Sequence, residues 1–225
     1  MSKNRLKQCL MLLTVVGLVA VAAGGGSGTF ASFTAETTNT GNSFATGTIV
    51  LSNTVNGGTA CLSTNGGATD TNINGACAAA YSVALKKPGD SYVGDQIDIK
   101  NVGSLSSSDL IFTGGSCTDS NAVGETYHGT GSLCGALDVY VQEWTSNTYA
   151  TPSHCSYGGG TATTCAFSDT KTLTTLAGAG AQTLTGALPA GTDRYFTVGV
   201  QMQSGAGNNM QGRATSSAVT WHVDQ

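Results

Sequence analysis

The chain is 225 residues long, and only 10% of them are charged, whereas 32 are glycine. Thirteen acidic side chains against nine basic ones give a net charge of −4, and no basic patch is present, so a nucleic-acid partner is not expected. The surface of the folded chain must instead be covered by Ser, Thr, Asn and Gly, a composition found on exported β-proteins.

The N-terminal stretch is predicted to be a signal peptide, cut after Ala23 or after Ala31. Three basic residues precede an apolar run, Cys9–Ala23, and these 15 residues are fewer than the ~20 that a helix needs to cross a bilayer. Small residues that suit cleavage end this run and recur at Ala31. A retained N-terminal anchor is the alternative interpretation, and the membrane would then be reached only through the uncleaved leader.

The chain from Ser32 onward is expected to be secreted as one domain preceded by a short arm. Its 194 residues contain no second apolar run long enough to span a membrane, and this length suits a single core. Residues 32–47 form the predicted arm, which has one charge, Glu36, and no proline. Residues 48–225 form the predicted domain.

Six cysteines remain after the leader, and their even number in an exported chain predicts disulfides. Fifteen pairings of six cysteines are possible. We favour the sequential pairs because each encloses a Gly/Ser/Thr-rich segment that resembles a loop. A zinc or redox site is the weaker alternative, since no C-x-x-C spacing occurs. The favoured pairs are Cys61–Cys77, Cys117–Cys134 and Cys155–Cys165.

Short stretches of alternating apolar and polar residues, separated by glycine-rich turns, recur along the domain. This period-two pattern predicts antiparallel sheets with one buried face, and Gly, Ser and Thr disfavour helix interiors. The predicted fold is all-β: a jelly-roll-like antiparallel β-sandwich with long disulfide-stapled loops. Asn101–Leu110 is the one candidate for a helical turn. The predicted strands are Thr48–Leu51, Tyr81–Leu85, Gln96–Lys100, Leu110–Thr113, Leu137–Trp144, Lys171–Leu176, Gln182–Leu184, Tyr195–Gln203 and Thr215–Val223.

No catalytic residue, metal site or cofactor is predicted. The histidines His128, His154 and His222 are isolated in sequence, and the chain has no H-E-x-x-H, G-x-S-x-G or phosphate-binding motif. The aspartates within Asp90–Asp98 allow a weak calcium site, but their spacing does not match a calcium loop. We therefore interpret Pro88–Asp90 as a turn.

Five aromatic residues on predicted strands allow two interpretations. They could form a platform that stacks on carbohydrate rings, or they could pack in the core. Their position on strands favours the core. These residues are Tyr140, Trp144, Tyr195, Phe196 and Trp221.

Three patches of the sequence together resemble the TasA/camelysin family. Phe44–Leu51 resembles the strand "F-x-x-G-T-ϕ-x-L" that opens the mature family members. Lys87–Ser91, followed by Ile97–Leu105, resembles the segment "PGD…I.I.N.GSL". Asn208–Gly212, running on to Thr220–Gln225, resembles the closing segment "N..QG…TF.A.Q". The patches follow the family order and cover essentially the whole mature chain.

The resemblance implies a mode of export and a mode of assembly. A SipW-type signal peptidase would cut the leader between Ala31 and Ser32. The mature protein would have a jelly-roll core and form extracellular fibres of a biofilm matrix by donor-strand exchange, in which the arm of one subunit completes the sheet of the next. The expected interface residues of this homopolymer are Phe33, Phe44, Ile49 and Leu51.

Three features depart from the family pattern, namely the six loop cysteines, the very low lysine content and the long Gly/Ser/Thr loops. The camelysin-type metallopeptidase label is not carried over, because the chain has no recognisable zinc motif. The leading hypothesis is a secreted, self-assembling structural protein of a matrix or cell surface. The alternatives are a monomeric surface adhesin or carbohydrate-binding module, and a secreted metallopeptidase.

Overall fold

The structure is a computed structural model that describes residues 46–66, 72–82, 87–184 and 186–224. The predicted signal peptide, its cleavage site at Ala31 and Ser32, and the arm residues Phe33 and Phe44 lie outside the described residues. The predicted strand Tyr81–Leu85 is described only at its first two residues, which are irregular.

Alternating side chains produce strands over most of the described chain. The strands are β1 Leu51–Val55, β2 Cys61–Leu62, β3 Ser91–Asn101, β4 Asp109–Gly114, β5 Thr118–Asn121, β6 Leu137–Trp144, β7 Pro152–Tyr157, β8 Gly159–Gly160, β9 Cys165–Ala166, β10 Ala181–Leu184, β11 Asp193–Met202, β12 Arg213–Ser216 and β13 Val219–Asp224. The helices are α1 Leu133–Ala136 and α2 Leu173–Gly178, with 3-10 turns at Ser63–Asn65 and Asn208–Met210.

The strands form two main sheets of unequal size. The large sheet has six strands in the order β2-β1-β3-β11-β6-β7, and the small sheet has three in the order β10-β4-β13. Two ribbons, β12-β5 and β8-β9, accompany them, and every pairing is antiparallel. The prediction of an all-β, jelly-roll-like antiparallel sandwich with disulfide-stapled loops is confirmed.

The core lies between the inner faces of the two sheets. Along β11, Phe196, Val198 and Val200 point inward at every second position, as the strand period requires. The small sheet meets them with Leu110 and Phe112 of β4. Other wholly buried apolar residues complete this core: Ile97, Ile99, Val139, Val141, Leu173 and Leu188, each 0% exposed.

The prediction of a strand at Lys171–Leu176 is wrong, because this stretch forms helix α2. The Thr172 side chain accepts a hydrogen bond from the Thr175 backbone amide, and the Thr175 hydroxyl bonds back to the Thr172 amide. This reciprocal cap satisfies amide groups at the helix start. Leu173 and Leu176, three positions apart, then lie on one helical face and enter the core.

Other segments also differ from the sequence prediction. Strand β3 begins at Ser91, five residues before the predicted start at Gln96. Residues 48–50 are not a strand but bond to the turn after β3, and β1 begins at Leu51. The predicted strand Thr215–Val223 is two strands, β12 and β13, separated at residues 217–218. Asn101–Leu110 has no helical turn. The side-chain amide of Asn101 instead donates to the Leu105 and Leu188 carbonyls.

The six loop cysteines form three sequential disulfides, as the composition of the enclosed loops predicts. The first disulfide, Cys61–Cys77, ties β2 to the irregular segment 72–82. Cys117–Cys134 ties the start of β5 to α1, and Cys155–Cys165 ties β7 to β9. Three disulfides are compatible with an oxidising, extracellular location. No helix in the described part of the chain is long and apolar enough to cross a membrane.

Candidate functional site

The feature that stands out for function is the edge of the small sheet at β13. This strand pairs with β4 on one side, and among the described residues no strand pairs with its other side. Because an unpaired edge is a template for another strand, this position is a candidate binding site.

The backbone pattern of β13 identifies the groups that point to the open side. The Ala218 carbonyl accepts a hydrogen bond of 2.8 Å from the Gly115 amide, so residue 218 faces β4. In an antiparallel ladder, alternate residues bond to the same neighbour. The backbone groups of Val219, Trp221 and Val223 therefore point away from β4, toward the open edge.

An apolar groove runs beside this edge, between β13 and the inner face of β1; we call it the β13 groove. It has a volume of about 830 Å³ and an exposed rim. Its apolar walls include Leu51 from β1 and Trp221 from β13, and Ile99 of β3 also reaches it. Because the large sheet extends over β1 and β2 while the small sheet stops at β13, the groove has the position of a missing strand.

Trp221 joins the groove to the core. Its ring centroid lies 4.5 Å from that of Phe196 and 5.8 Å from that of Phe112, and both phenylalanines are 0% exposed. Trp221 itself is only partly buried, and its neighbours Thr220 and His222 are exposed. The alternation along β13 therefore directs one apolar face into the groove and one polar face to solvent.

The outer wall of the groove is the segment 72–82, which has no regular structure. The Cys61–Cys77 disulfide fastens this segment, and both cysteines line the groove. The Asn74 amide donates to the Leu62 carbonyl at 2.9 Å, and the Asn72 amide donates to the Ile49 carbonyl. Side-chain bonds and one disulfide thus hold the wall in place without a strand ladder.

Two polar atoms in the groove have no hydrogen-bond partner among the described residues. They are Asn53 Oδ1 on β1 and the Tyr81 hydroxyl on the outer wall, and both atoms are buried. Burial raises the pKa of Tyr81, and the nearby Ser217 side chain partly offsets the rise. An unpaired buried polar atom costs about 1–3 kcal/mol, so both sites favour a ligand that supplies hydrogen bonds.

Two of the four expected interface residues can be located in the structure. Ile49 and Leu51 belong to the folded domain and line the β13 groove. Leu51 begins β1, in register with Asn101 of β3. Sequence reasoning did not identify Asn53 and Tyr81 as site residues, because nothing in the local pattern shows that two distant segments enclose a groove.

The five aromatic residues of the sequence analysis lie in three different places. Phe196 packs in the core, as expected, and Trp221 lines the groove. Tyr140 is also buried, but it lies opposite Gly199 on the outer face of the large sheet, against Phe167 at a centroid distance of 4.8 Å. Trp144 and Tyr195 lie on the outer face of the large sheet, where they contact another ring. That ring is Tyr149, at centroid distances of 6.2 Å and 6.1 Å from the two.

The histidines do not come together in the structure. His128 Nδ1 lies 2.8 Å from the Gly212 carbonyl oxygen, and His222 pairs with Asp224 at 2.7 Å on an exposed strand face. The His154 carbonyl accepts a hydrogen bond from Gln142. In the described ranges, no three His, Cys, Asp or Glu side chains cluster as metal ligands would.

The aspartates near the start of β3 bond to donors of the chain itself. Asp95 Oδ1 accepts from the Asn56 amide at 2.7 Å and from the Tyr92 hydroxyl at 2.6 Å. Asp98 accepts from the Tyr149 hydroxyl on the outer sheet face. The hydrogen bond to Asp95 and burial raise the pKa of Tyr92.

No family model matches the chain, and no curated protein matches it either. The resemblance to the TasA/camelysin family therefore remains a prediction from the three sequence patches. The β13 groove is the candidate functional site on structural grounds alone.

Proposed function

We propose that the protein is a secreted structural protein that assembles into extracellular filaments by strand donation between copies. The observation that carries this proposal is the unpaired β13 edge beside an apolar groove of about 830 Å³. An added strand would bond to the outward backbone groups of Val219, Trp221 and Val223. Its side chains would fill the groove, which is the general pattern of β-strand addition.

The N-terminal arm, residues 32–47, is the proposed donor. It has a single charge and no proline, so it can form a full ladder and enter an apolar groove. The described chain is fixed from the end of this arm onward: the Thr48 amide donates to Ser104 Oγ at 3.0 Å, and its carbonyl accepts from the Ser104 and Leu105 amides. The arm is thus joined to a folded domain at one end.

Export and cleavage complete the proposal. The leader 1–31 would direct the chain out of the cell, and a signal peptidase would cut between Ala31 and Ser32 to free the arm. The three disulfides support an oxidising destination. The resemblance to the TasA/camelysin family supports a homopolymer in a biofilm matrix or on the cell surface.

Deletion of the arm tests the proposed donor. The chain from Ser32, with its disulfides formed, is expected to give filaments in negative-stain electron microscopy. The chain from Gly47 is expected to remain a folded monomer, because the hydrophobic core lies C-terminal to the arm. Filaments that form equally well without the arm would overturn the proposal.

A substitution in the groove tests the proposed acceptor. Val219→Lys places a cation on the groove face of β13, and we expect it to block assembly. Thr183→Lys is the matched control, since Thr183 is exposed on β10, the other edge strand of the same sheet. Circular dichroism separates a block from misfolding. Normal filaments from a folded Val219→Lys variant would contradict the acceptor assignment.

Carbohydrate binding is a second candidate function, favoured by the aromatic group on the outer face of the large sheet. Trp144, Tyr149 and Tyr195 meet there, and the Tyr149 hydroxyl donates to the Asp98 carboxylate. Tyr and Trp are enriched at interfaces, because each combines a large apolar ring with a polar group that can form a hydrogen bond. Retention on immobilised polysaccharide that Tyr149→Ala abolishes would support this role, and its absence for the unchanged chain would remove it.

A further inference from the structure

The β13 groove can receive only one face of an added strand. Side chains of a strand alternate between its two faces, so every second residue of a donor would enter the groove. The six residues Val219–Asp224 of β13 span about 20 Å at ~3.3 Å per residue, which matches a donor segment of six or seven residues. The register of the donor therefore decides which arm residues are buried.

The two phenylalanines of the arm have opposite parity. Phe33 and Phe44 are 11 positions apart, so an unbroken strand would place them on opposite faces. Only one of them can fill the groove in such a strand. The Phe33 face continues with Ala35, Thr37 and Asn39 and has no charge.

The charge of Glu36 excludes the opposite face of the same segment from the groove. That face contains Glu36, and the described lining of the groove includes no Lys or Arg that could pair with it. An unpaired buried carboxylate is strongly unfavourable. His222 is the one lining residue that can become cationic, and its ring is already 2.7 Å from Asp224 Oδ1.

The reach of the chain disfavours the Phe44 end as donor. Ser104 holds Thr48, and a Cβ placed at Gly47 would come within 2.4 Å of the Leu105 side chain, so Gly47 lies tightly against its own domain. Phe44 precedes Gly47 by three positions, which is at most about 11 Å of extended chain. Phe33 precedes it by 14 positions, which is at most about 50 Å.

The unpaired polar atoms of the groove suit the Phe33 face. Asn53 Oδ1 is an acceptor and the Tyr81 hydroxyl is a donor or acceptor, and both are buried without partners among the described residues. The Thr37 hydroxyl and the Asn39 amide of that face can donate and accept such bonds. An all-apolar donor face would leave both groove atoms unsatisfied.

We propose that the β13 groove binds the segment Phe33–Asn39 of a second copy, with Phe33, Ala35, Thr37 and Asn39 inward and Glu36 at the solvent face. This assignment rests on the proposed function and names its register. Phe44 then lies in the linker between two domains and outside the groove.

Adjacent threonines give a matched test, performed on the disulfide-bonded chain from Ser32. Thr37→Lys and Phe33→Ala are expected to raise the critical concentration for filaments at least about tenfold. Thr38→Lys and Phe44→Ala are expected to assemble within about twofold of the unchanged chain. All four substitutions lie in the arm, outside the described core, and circular dichroism of each variant checks its fold.

The outcomes separate this inference from the proposed function. Loss of assembly in Thr38→Lys but not in Thr37→Lys overturns the register and leaves strand donation intact. Equal effects of both threonine substitutions also overturn it. Filaments that persist after removal of the whole arm overturn the proposed function itself.

Discussion

The two halves of the sandwich differ in how completely their apolar faces are covered. The closed half consists of β6, β7 and β11 with α2, and its inner residues Val139, Val198 and Leu173 are 0% exposed. The open half consists of β1, β2, β13 and the segment 72–82. Its apolar residues Leu51 and Trp221 are only partly buried and line a groove.

The alternation of apolar and polar side chains does not by itself distinguish the two halves. β11 and β13 both place apolar residues at every second position, but β11 has β3 and β6 as neighbours while β13 has only β4 among the described residues. The difference arises from sheet size, six strands against three. We infer that the closed half provides stability and the open half provides a binding surface.

The largest effect on stability is expected from the closed half. Leu173→Ala removes a wholly buried side chain of α2 and should lower the free energy of unfolding by about 2–5 kcal/mol, measured by urea denaturation. Thr174→Ala, one position along the same helix, is the control, because Thr174 is exposed and should change stability by less than about 0.5 kcal/mol. Equal effects of both would contradict the assignment of this helix to the core.

Helix α2 also shows why part of the fold could not be predicted from the sequence. The apolar positions 173 and 176 fit a strand as well as a helix, because a stretch of six residues is too short for the two periodicities to separate clearly. The deciding signal was the Thr172–Thr175 cap, which a Thr-rich sequence offers at many places. In contrast, the prediction for strand β6 has the observed bounds, Leu137–Trp144, because the alternation of Leu137, Val139 and Val141 with their neighbours extends over eight residues.

The β13 groove could not be predicted from the sequence, for a different reason. Its walls come from β1, from β13 and from the segment 72–82, which are far apart in the chain. The alternation of Trp221 and Val223 with His222 was visible, but the absence of a neighbouring strand is a property of the whole sheet. The predicted Cys61–Cys77 disulfide is the one sequence feature that indicates this wall, because it places the segment around Cys77 next to Cys61.

The first disulfide tests whether the wall of the open half is needed for assembly. The double variant Cys61→Ser/Cys77→Ser frees the segment 72–82, and we expect a folded chain that loses about 2–4 kcal/mol of stability and no longer forms filaments. Cys155→Ser/Cys165→Ser is the control, because that disulfide lies on β7 and β9 and should cost stability without blocking assembly. Filament microscopy and denaturation together distinguish the two results.

A smaller effect on stability is expected from the buried side-chain amide of Gln142. This amide holds the loop that contains Thr163 and Cys165 against the closed half. Its Nε2 lies within 3.0 Å of the Glu143, His154 and Thr163 carbonyls, and its Oε1 accepts from the Cys165 amide at 2.7 Å. Gln142→Ala leaves these groups without their partner.

We expect Gln142→Ala to lower the free energy of unfolding by about 1–3 kcal/mol in urea denaturation. Gln182→Ala is the control, since Gln182 bonds to carbonyls at an exposed turn where water can replace it. Filament formation should survive in both variants. A loss of filaments in folded Gln142→Ala would show that the two halves are not independent.

The smallest expected change in the free energy of unfolding depends on pH and comes from the buried carboxyl of Asp138 in the closed half. This residue is 2% exposed, and burial raises its pKa, as does the neighbouring Asp169, while the hydrogen bond from Gln203 lowers it. Because the folded state holds this proton more tightly than the unfolded state does, the stabilisation is full below the unfolded-state pKa. It is lost as pH rises through the folded-state pKa.

Asp138→Asn removes this loss, because the amide has the shape of the protonated carboxyl and no charge. We expect the variant to be as stable as the unchanged chain or more stable at pH 7, and to depend less on pH above about 4. Glu125→Gln, an exposed position, should keep the pH profile of the unchanged chain. Urea denaturation at several pH values measures both. A variant that is less stable at pH 7 than the unchanged chain would mean that the ionised carboxylate itself supports the closed half through Gln203.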